Sequence, residues 1–315
     1  MLGRTANDLF WLSRYVERAE NMARLVEVGY RIGLMPKEGG GPFEEWRSAL
    51  ASSATAQGYF AKYETLDAAR VVDYLLFDPD NPSSVYACLA TARQNGRAQR
   101  TALTQEMWES LNSTWLEYAA IKRNGMTTTS LTELLVWIKQ RSALFRGALL
   151  GTILRNDTYF FSQLGAFIER ADNTARILDV KYYVLLPEND LIGGGVDTHQ
   201  WGAILRSVSA HRSYRWVYRE SYRPWRIAEY LILNTQMPRS LAFAYTQIRS
   251  ALAGMAEHYG TRPPSHAVAE DTAHRLVTAD ITSIFQAGMH EFLVDFLGSN
   301  NRLSAQIARD YCFVD

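Results

Sequence analysis

The apolar residues of this 315-residue chain recur at helical spacing along nearly its whole length. Near the N-terminus, Leu9, Leu12 and Val16 follow one another at steps of three and four residues, and Ala19 and Ala23 continue the stripe. Such steps place side chains on one face of an α-helix, whereas a half-buried strand alternates apolar and polar residues. Similar helical stripes run to the C-terminus. The predicted fold class is therefore all-α, a large bundle of about ten helices.

Short turn-forming segments separate the predicted helices. Glycine and proline concentrate in residues 39–42, 78–82, 193–195 and 263–264, and such clusters mark turns. Each segment is too short to act as a long flexible tether between domains. We therefore expect one helical domain over residues 1–315.

The composition excludes several classes of protein. The chain has 33 basic and 33 acidic residues, so its formal net charge is zero. A chain without an overall positive field is not expected to have nucleic acid as its partner. No stretch reaches the 18 or so apolar residues of a membrane span, and the N-terminus lacks a signal-peptide pattern. The two widely separated cysteines form no metal-binding array and suit a reducing compartment. We expect a cytoplasmic protein without metal or cofactor and without a membrane partner.

One segment of the chain occurs twice. Residues 15–28 (YVERAENMARLVEV) align with residues 167–180 (FIERADNTARILDV), with seven of fourteen positions identical. Unrelated segments of ordinary composition would share about one position. The match predicts two related halves, about residues 1–150 and 151–315.

Each copy of the repeat carries a Glu, an Asn and an Arg at steps of four and three residues, which stack on one helix face. They are Glu17, Asn21 and Arg24 in the first copy and Glu169, Asn173 and Arg176 in the second, flanked by Arg18 and Arg170. Antiparallel packing sets Glu17 opposite Arg176 and Arg24 opposite Glu169, whereas parallel packing sets like charges together. Sign matching therefore predicts an antiparallel helix pair.

This polar stripe has two interpretations. In the first, it is a buried charge network that only fixes the register of the helices. In the second, it lines a pocket in which Glu17 and Glu169 are catalytic acids or bases and the Arg and Asn side chains bind a carboxylate or phosphate. A di-metal site is not favoured, because bundle sites of that type use Glu-x-x-His pairs and neither copy has a histidine.

A second candidate binding surface lies in residues 201–226, where arginines alternate with aromatic residues. Arg212, Arg215, Arg219 and Arg223 are spaced three, four and four residues apart, which predicts a basic face on one helix. A solvated face over an aromatic core is one interpretation. A site for an anion or an acidic partner is another, and single-stranded nucleic acid is a third.

Five segments together resemble the alpha-E family of bacterial helical proteins, named for its Glu-Arg motif. They are residues 9–24, 103–112, 164–176, 205–210 and 237–240. The resemblance implies a companion of circularly permuted ATP-grasp ligases, often found with transglutaminase-like peptidases. ATP-grasp enzymes join a carboxylate to an amine through an acyl-phosphate. The chain itself has neither a P-loop nor a Gly-x-Gly-x-x-Gly segment for binding a nucleotide.

The leading functional expectation is a partner of an ATP-grasp amide or peptide ligase. Its Arg/Glu-lined groove would recognise the ligase or a carboxylate-bearing peptide or amino-acid product. An enzyme that uses Glu17 or Glu169 as acid or base in a peptide- or amide-modifying step is the alternative. A scaffold with a purely structural charge network is the second alternative.

Overall fold

The computed structural model describes residue 1 and residues 3–34, 43–125, 130–184 and 195–313. These residues form fifteen helices and no strand, which confirms the all-α prediction. The helices are α1 (Gly3–Gly33), α2 (Glu44–Ser52), α3 (Ala56–Lys62), α4 (Ala68–Leu76), α5 (Val85–Ala98), α6 (Gln105–Asn124), α7 (Leu131–Thr152), α8 (Asp157–Val184), α9 (Gly195–Ser207), α10 (His211–Tyr218), α11 (Pro224–Ile232), α12 (Leu241–Tyr259), α13 (Ser265–Thr278), α14 (Ile281–Ala287) and α15 (Met289–Asp310).

The described helices outnumber the ten or so that were predicted, because several apolar stripes continue across short breaks. The break after α2 contains Ala54 at φ 56°, and the break after α9 contains Ser209 at φ 58°. Arg219, just after α10, has φ 52°. Left-handed backbone is uncommon for residues other than glycine, so composition did not mark these helix ends.

Helices α1 and α8, which carry the two copies of the repeat, lie side by side at the centre and run parallel. The ammonium group of Met1 is 3.4 Å from a carboxylate oxygen of Asp157, so the two helices begin together. Farther along, Arg14 contacts Glu169, and Leu25 and Arg176 line one pocket. The predicted antiparallel arrangement is therefore wrong.

The close contact between α1 and α8 depends on a glycine. A Cβ atom added at Gly165 would overlap the backbone carbonyl oxygen of Phe10. Around this contact, Leu9 and Leu12 of α1 and Leu164 of α8 are fully buried. Helices α5 and α7 pack on α1, and α12 and α15 pack on α8. The polar stripes of α1 and α8 are thus held at the centre of the apolar core.

A bilayer crossing needs a helix that is both long and apolar, and the described part of the chain contains none.

Candidate functional site

The two Glu-Arg dipeptides exchange partners between α1 and α8. Arg170 donates through Nε and Nη2 to the two carboxylate oxygens of Glu17, at 3.0 and 2.9 Å. Arg18 donates through the same two nitrogens to Glu169, at 2.6 and 2.9 Å. Such two-pronged contacts are the stronger class of charged hydrogen bond. The sequence-based prediction was different: it paired Glu17 with Arg176 and Glu169 with Arg24.

Around Glu17 lies a group of charged side chains that we call the filled cluster. It consists of Glu17 and Glu20 with Arg24, Arg146, Arg170 and Arg239. Glu17 is 1% exposed and Glu20 is fully buried. Arg239 lies 3.2 Å from Glu17 and also donates to Glu20. Four guanidinium groups thus enclose two carboxylates.

The electrostatics of the filled cluster suit a structural role. Burial opposes ionisation of Glu17, but Arg170, Arg239 and Arg146 outweigh it and hold the pKa of Glu17 well below its usual range. Burial lowers the pKa of Arg239 to about 9, against the opposing effect of Glu20. A general base works best with a pKa near the operating pH. The arrangement keeps Glu17 ionised and enclosed by arginines.

Around Glu169 lies the matching group, which we call the open cluster. It consists of Glu169 and Asp172 with Arg14, Arg18 and Arg176. Arg14 Nε is 2.9 Å from Glu169, and Arg176 Nε is 2.6 Å from Asp172. Burial would raise the pKa of Glu169, but Arg18 and Arg14 more than offset this and lower it to about 2. Glu169 is therefore also ionised at neutral pH.

A pocket of about 230 Å³ opens beside the open cluster. Arg18, Asn21 and Arg176 line it together with Asn173 and Ser83. The side chains of Arg18 and Arg176 are each about one quarter exposed. Four of the predicted binding residues therefore share this pocket with Glu169: Arg18, Asn21, Asn173 and Arg176. The other two from the repeat, Arg24 and Arg170, belong to the filled cluster, where they contact Glu20 and Glu17.

Several polar atoms of this pocket lack a protein partner. Asn21 donates to the backbone oxygen of Glu169 at 3.3 Å, but its Oδ1 accepts nothing from the described residues. Asn173 Nδ2 has no acceptor among the described residues either. Both Asn side chains are buried, each with 3% exposure. Arg18 uses Nε and Nη2 on Glu169, which leaves Nη1 available. Buried polar groups are normally paired, so the two Asn atoms point to a bound water or ligand, and Arg18 Nη1 is available to the same pocket.

The arginines of residues 201–226 do not form the predicted four-residue face. Helix α10 carries Arg212 and Arg215 but ends at Tyr218, and Arg219 adopts the left-handed conformation. Arg223 is extended because the following Pro224 disfavours helical backbone. The prediction of one continuous helix through Arg223 is therefore wrong.

Two of these arginines nevertheless belong to a basic surface pocket of about 750 Å³. Arg215, Arg219 and Arg206 line it with His211 and Tyr222. None of the three arginines has an ion-pair partner among the residues whose side chains the structure describes. Arg212 is exposed on the same helix outside the pocket.

Six residues that shape the site were not among the predicted site residues: Arg14, Glu20, Ser83, Arg146, Asp172 and Arg239. Glu20 aligns with Asp172, so a comparison of the two copies offered a signal for that acidic pair. Arg146, Arg239 and Ser83 come from elements outside the repeat. Nothing in their local sequence indicates that they reach α1 or α8. As for metals, the described side chains include no group of three or more His, Cys, Asp and Glu positioned to hold an ion.

An all-helical protein with Glu-Arg dipeptides exchanged between two central helices is the class that this fold and site define. The chain belongs to the Alpha-E family, described as a predicted alpha-helical domain with a conserved ER motif, which it matches over residues 1–312. The chain contains two such dipeptides, at residues 17–18 and 169–170.

Curated relatives occur in mycobacteria. An uncharacterized protein of Mycobacterium bovis and another of Mycobacterium tuberculosis are each 31% identical to this chain over 132 residues. The match covers 38% of this chain and 14% of each relative, so those proteins are far longer than the shared segment. No solved structure matches the chain significantly.

Proposed function

We propose that this chain is a recognition component of an amide- or peptide-ligase system and that the pocket of the open cluster binds the carboxylate of an amino acid or peptide. The observation that carries the proposal is the set of unpaired donors in this pocket. Arg18 Nη1 and Asn173 Nδ2 have no acceptor among the described residues. A guanidinium fork is the side-chain group best matched to a carboxylate.

The charge and size of the pocket support the same ligand class. Three guanidinium groups face two carboxylates in the open cluster, so the cluster attracts an anion. A volume of about 230 Å³ suits one amino acid or a peptide end. Pockets for drug-sized ligands are commonly about 300–1,000 Å³. A nucleotide or a long peptide would not fit inside it.

The proposed partner is an ATP-grasp ligase, and a transglutaminase-like peptidase is a second proposed companion. Both rest on the family resemblance. Such a ligase consumes a carboxylate and an amine, and its peptide product still carries a carboxylate for this pocket. Arg215 and Arg219, exposed and without described ion-pair partners, supply a basic surface for an acidic patch of the ligase. Two related halves would explain why the filled and open clusters are built alike.

Catalysis by Glu17 or Glu169 is the weaker alternative. Both carboxylates are almost fully buried and gripped by arginines, and their lowered pKa values suit neither a general base nor a general acid near neutral pH. The filled cluster fits the scaffold alternative, but the unpaired atoms of the open cluster do not.

Calorimetry with 4-methylpentanoate and its amide tests carboxylate recognition. We expect the acid to bind and the amide, which has the same shape without the charge, not to bind. Arg176→Gln should weaken binding of the acid by about tenfold, the equivalent of one charged hydrogen bond. Arg212→Gln removes the same charge from an exposed position and should leave binding unchanged. Equal binding of acid and amide would refute the proposal.

A further inference from the structure

The filled and open clusters are built from matching residues of α1 and α8. Glu17, Glu20, Arg24 and Arg170 of the filled cluster align with Glu169, Asp172, Arg176 and Arg18 of the open cluster. In both clusters the second acidic residue pairs with the Arg four residues later. The filled cluster can therefore be used as a reference: a position that it fills with a side chain, and that the open cluster leaves empty, is a position where a ligand group could bind.

Two arginines of the filled cluster, Arg146 and Arg239, come from outside the repeat and have no aligned arginine in the open cluster. Of the two, Arg239 has an equivalent position that lies beside the pocket. Arg239 lies between Pro238 and Ser240, and Ser240 caps α12 through a 3.0 Å hydrogen bond from Phe243 N. The corresponding order before α5 is Pro82, Ser83 and Ser84, and Ser84 caps that helix in the same way. Arg239 donates to both carboxylates of the filled cluster. Ser83, in the equivalent place, lines the pocket and leaves the position of a guanidinium empty.

A second difference removes an acceptor. Arg24 donates through Nη1 to the backbone oxygen of Ser207 and, at 3.2 Å, to the hydroxyl of Ser209. Arg176 donates through Nη1 to the backbone oxygen of Ser52 at 3.1 Å. The residue two positions after Ser52 is Ala54, which has the same left-handed backbone as Ser209 but no hydroxyl. Arg176 thus faces the pocket without the acceptor that Arg24 has.

We infer that the pocket binds a free α-amino acid, whose ammonium group takes the place of the Arg239 guanidinium and whose carboxylate takes the place of the Ser209 hydroxyl. The ammonium then lies beside Glu169 and Asp172, and the carboxylate lies against Arg176 and Arg18. A zwitterion adds no net charge to the buried site, whereas a fourth arginine would. The inference rests on the proposed function, because it keeps the carboxylate and adds the amine.

The rest of the pocket indicates the side chain of the ligand. Met22, Leu25 and Ala54 form its apolar wall. Met22 and Leu25 are already buried, and an aliphatic side chain would remove the exposed methyl group of Ala54 from water. Asn21 Oδ1 and Asn173 Nδ2 supply one acceptor and one donor for the amine and the carboxylate. L-leucine is therefore the probe of choice.

The experiment compares L-leucine with 4-methylpentanoate and L-leucinamide by calorimetry on the full chain. L-leucine should bind about tenfold more tightly than either analogue, because each analogue lacks one of its two charged groups. Asp172→Asn should bring the affinities of L-leucine and 4-methylpentanoate close together. Ser83→Arg, which places a guanidinium where the ammonium would lie, should abolish binding of L-leucine, and Ser83→Ala should preserve it.

Thr101→Arg adds the same charge at an exposed turn and is the control for Ser83→Arg; it should leave binding of L-leucine intact. Equal affinity for L-leucine and 4-methylpentanoate would overturn the amino-acid inference while leaving carboxylate recognition in place. Absence of binding by all three probes would overturn both. Binding of L-leucine that survives Ser83→Arg would show that it binds elsewhere and would also overturn the inference.

Discussion

At the scale of the single residue, the adjacency of Glu and Arg explains how parallel helices can match opposite charges. Neighbouring residues on a helix point about 100° apart, so Glu17 and Arg18 both reach the facing helix on opposite sides of the contact line. Each Glu then meets the Arg of the other dipeptide. The antiparallel prediction considered the stripe of Glu, Asn and Arg and treated Arg18 and Arg170 only as flanking residues.

The lowered pKa of Glu169 predicts a loss of stability in acid. The carboxyl titrates at about 2 in the folded protein, against an ordinary value of 4.5. A group with a depressed folded pKa stabilises the fold above its unfolded pKa. This contribution is complete at neutral pH and is lost as the pH falls from about 4.5 towards 2. Urea unfolding across this range should show the decline.

Glu169→Gln should reduce the dependence of the unfolding free energy on pH in this acidic range. The remaining slope comes from Glu17 and Glu20, whose pKa values are also lowered. Glu117→Gln is the control, because that side chain is 46% exposed and pairs only with Arg141 among the described residues. A variant Glu169→Gln with an unchanged slope would contradict the assignment.

At the scale of the helix, the contact between α1 and α8 sets the distance across which the charge clusters form. The absence of a side chain at Gly165 lets the backbone of Phe10 approach. Glycine lowers helix stability by roughly 0.5–1 kcal/mol relative to alanine, so a glycine inside α8 is maintained against local propensity.

Gly165→Ala should destabilise the protein by about 1–3 kcal/mol, because the new methyl group overpacks the helix contact. Gly147→Ala is the matched control on α7, where an added Cβ meets no atom within 4 Å. The control should raise stability by about 0.5–1 kcal/mol through helix propensity alone. Urea unfolding of both variants measures the difference. A stabilised Gly165→Ala variant would show that α1 and α8 do not approach as described.

At the scale of the whole molecule, the charge clusters join distant parts of the chain. Glu17 from the first half of the sequence is bound by Arg170 and Arg239 from the second half, and Glu169 is bound by Arg14 and Arg18. Each half thus supplies the counter-ions for a buried carboxylate of the other. The single domain over residues 1–315 remains a prediction, and this exchange of ion-pair partners supports it. The relation between the two halves also remains a prediction.

Fragments 1–156 and 157–315 should therefore fail to fold separately and should fold when produced together. Separation leaves Glu17 and Glu169 without counter-ions from the other half. Breaking a buried ion pair costs about 3–5 kcal/mol, so the loss of two or three such pairs is comparable with the whole stability of a domain, about 5–15 kcal/mol. Circular dichroism and urea unfolding of the separate and combined fragments measure this. A fragment 1–156 that is fully helical and unfolds cooperatively by itself would contradict the prediction.

The amino-acid sequence alone was enough to predict the all-helical class and to identify the residues at the centre of the site. The helical period and the repeated ER segment are local properties, so Glu17, Arg18, Glu169 and Arg170 could be identified without coordinates. The direction of the helix pair could not be predicted. Opposite charges can be matched in either direction once Arg18 and Arg170 are included as partners of the two Glu residues. Only the tertiary structure brought Arg239 to one cluster and Ser83 to the other. That difference leaves one cluster closed and the other with a pocket, because the arginine fills a space that the serine does not.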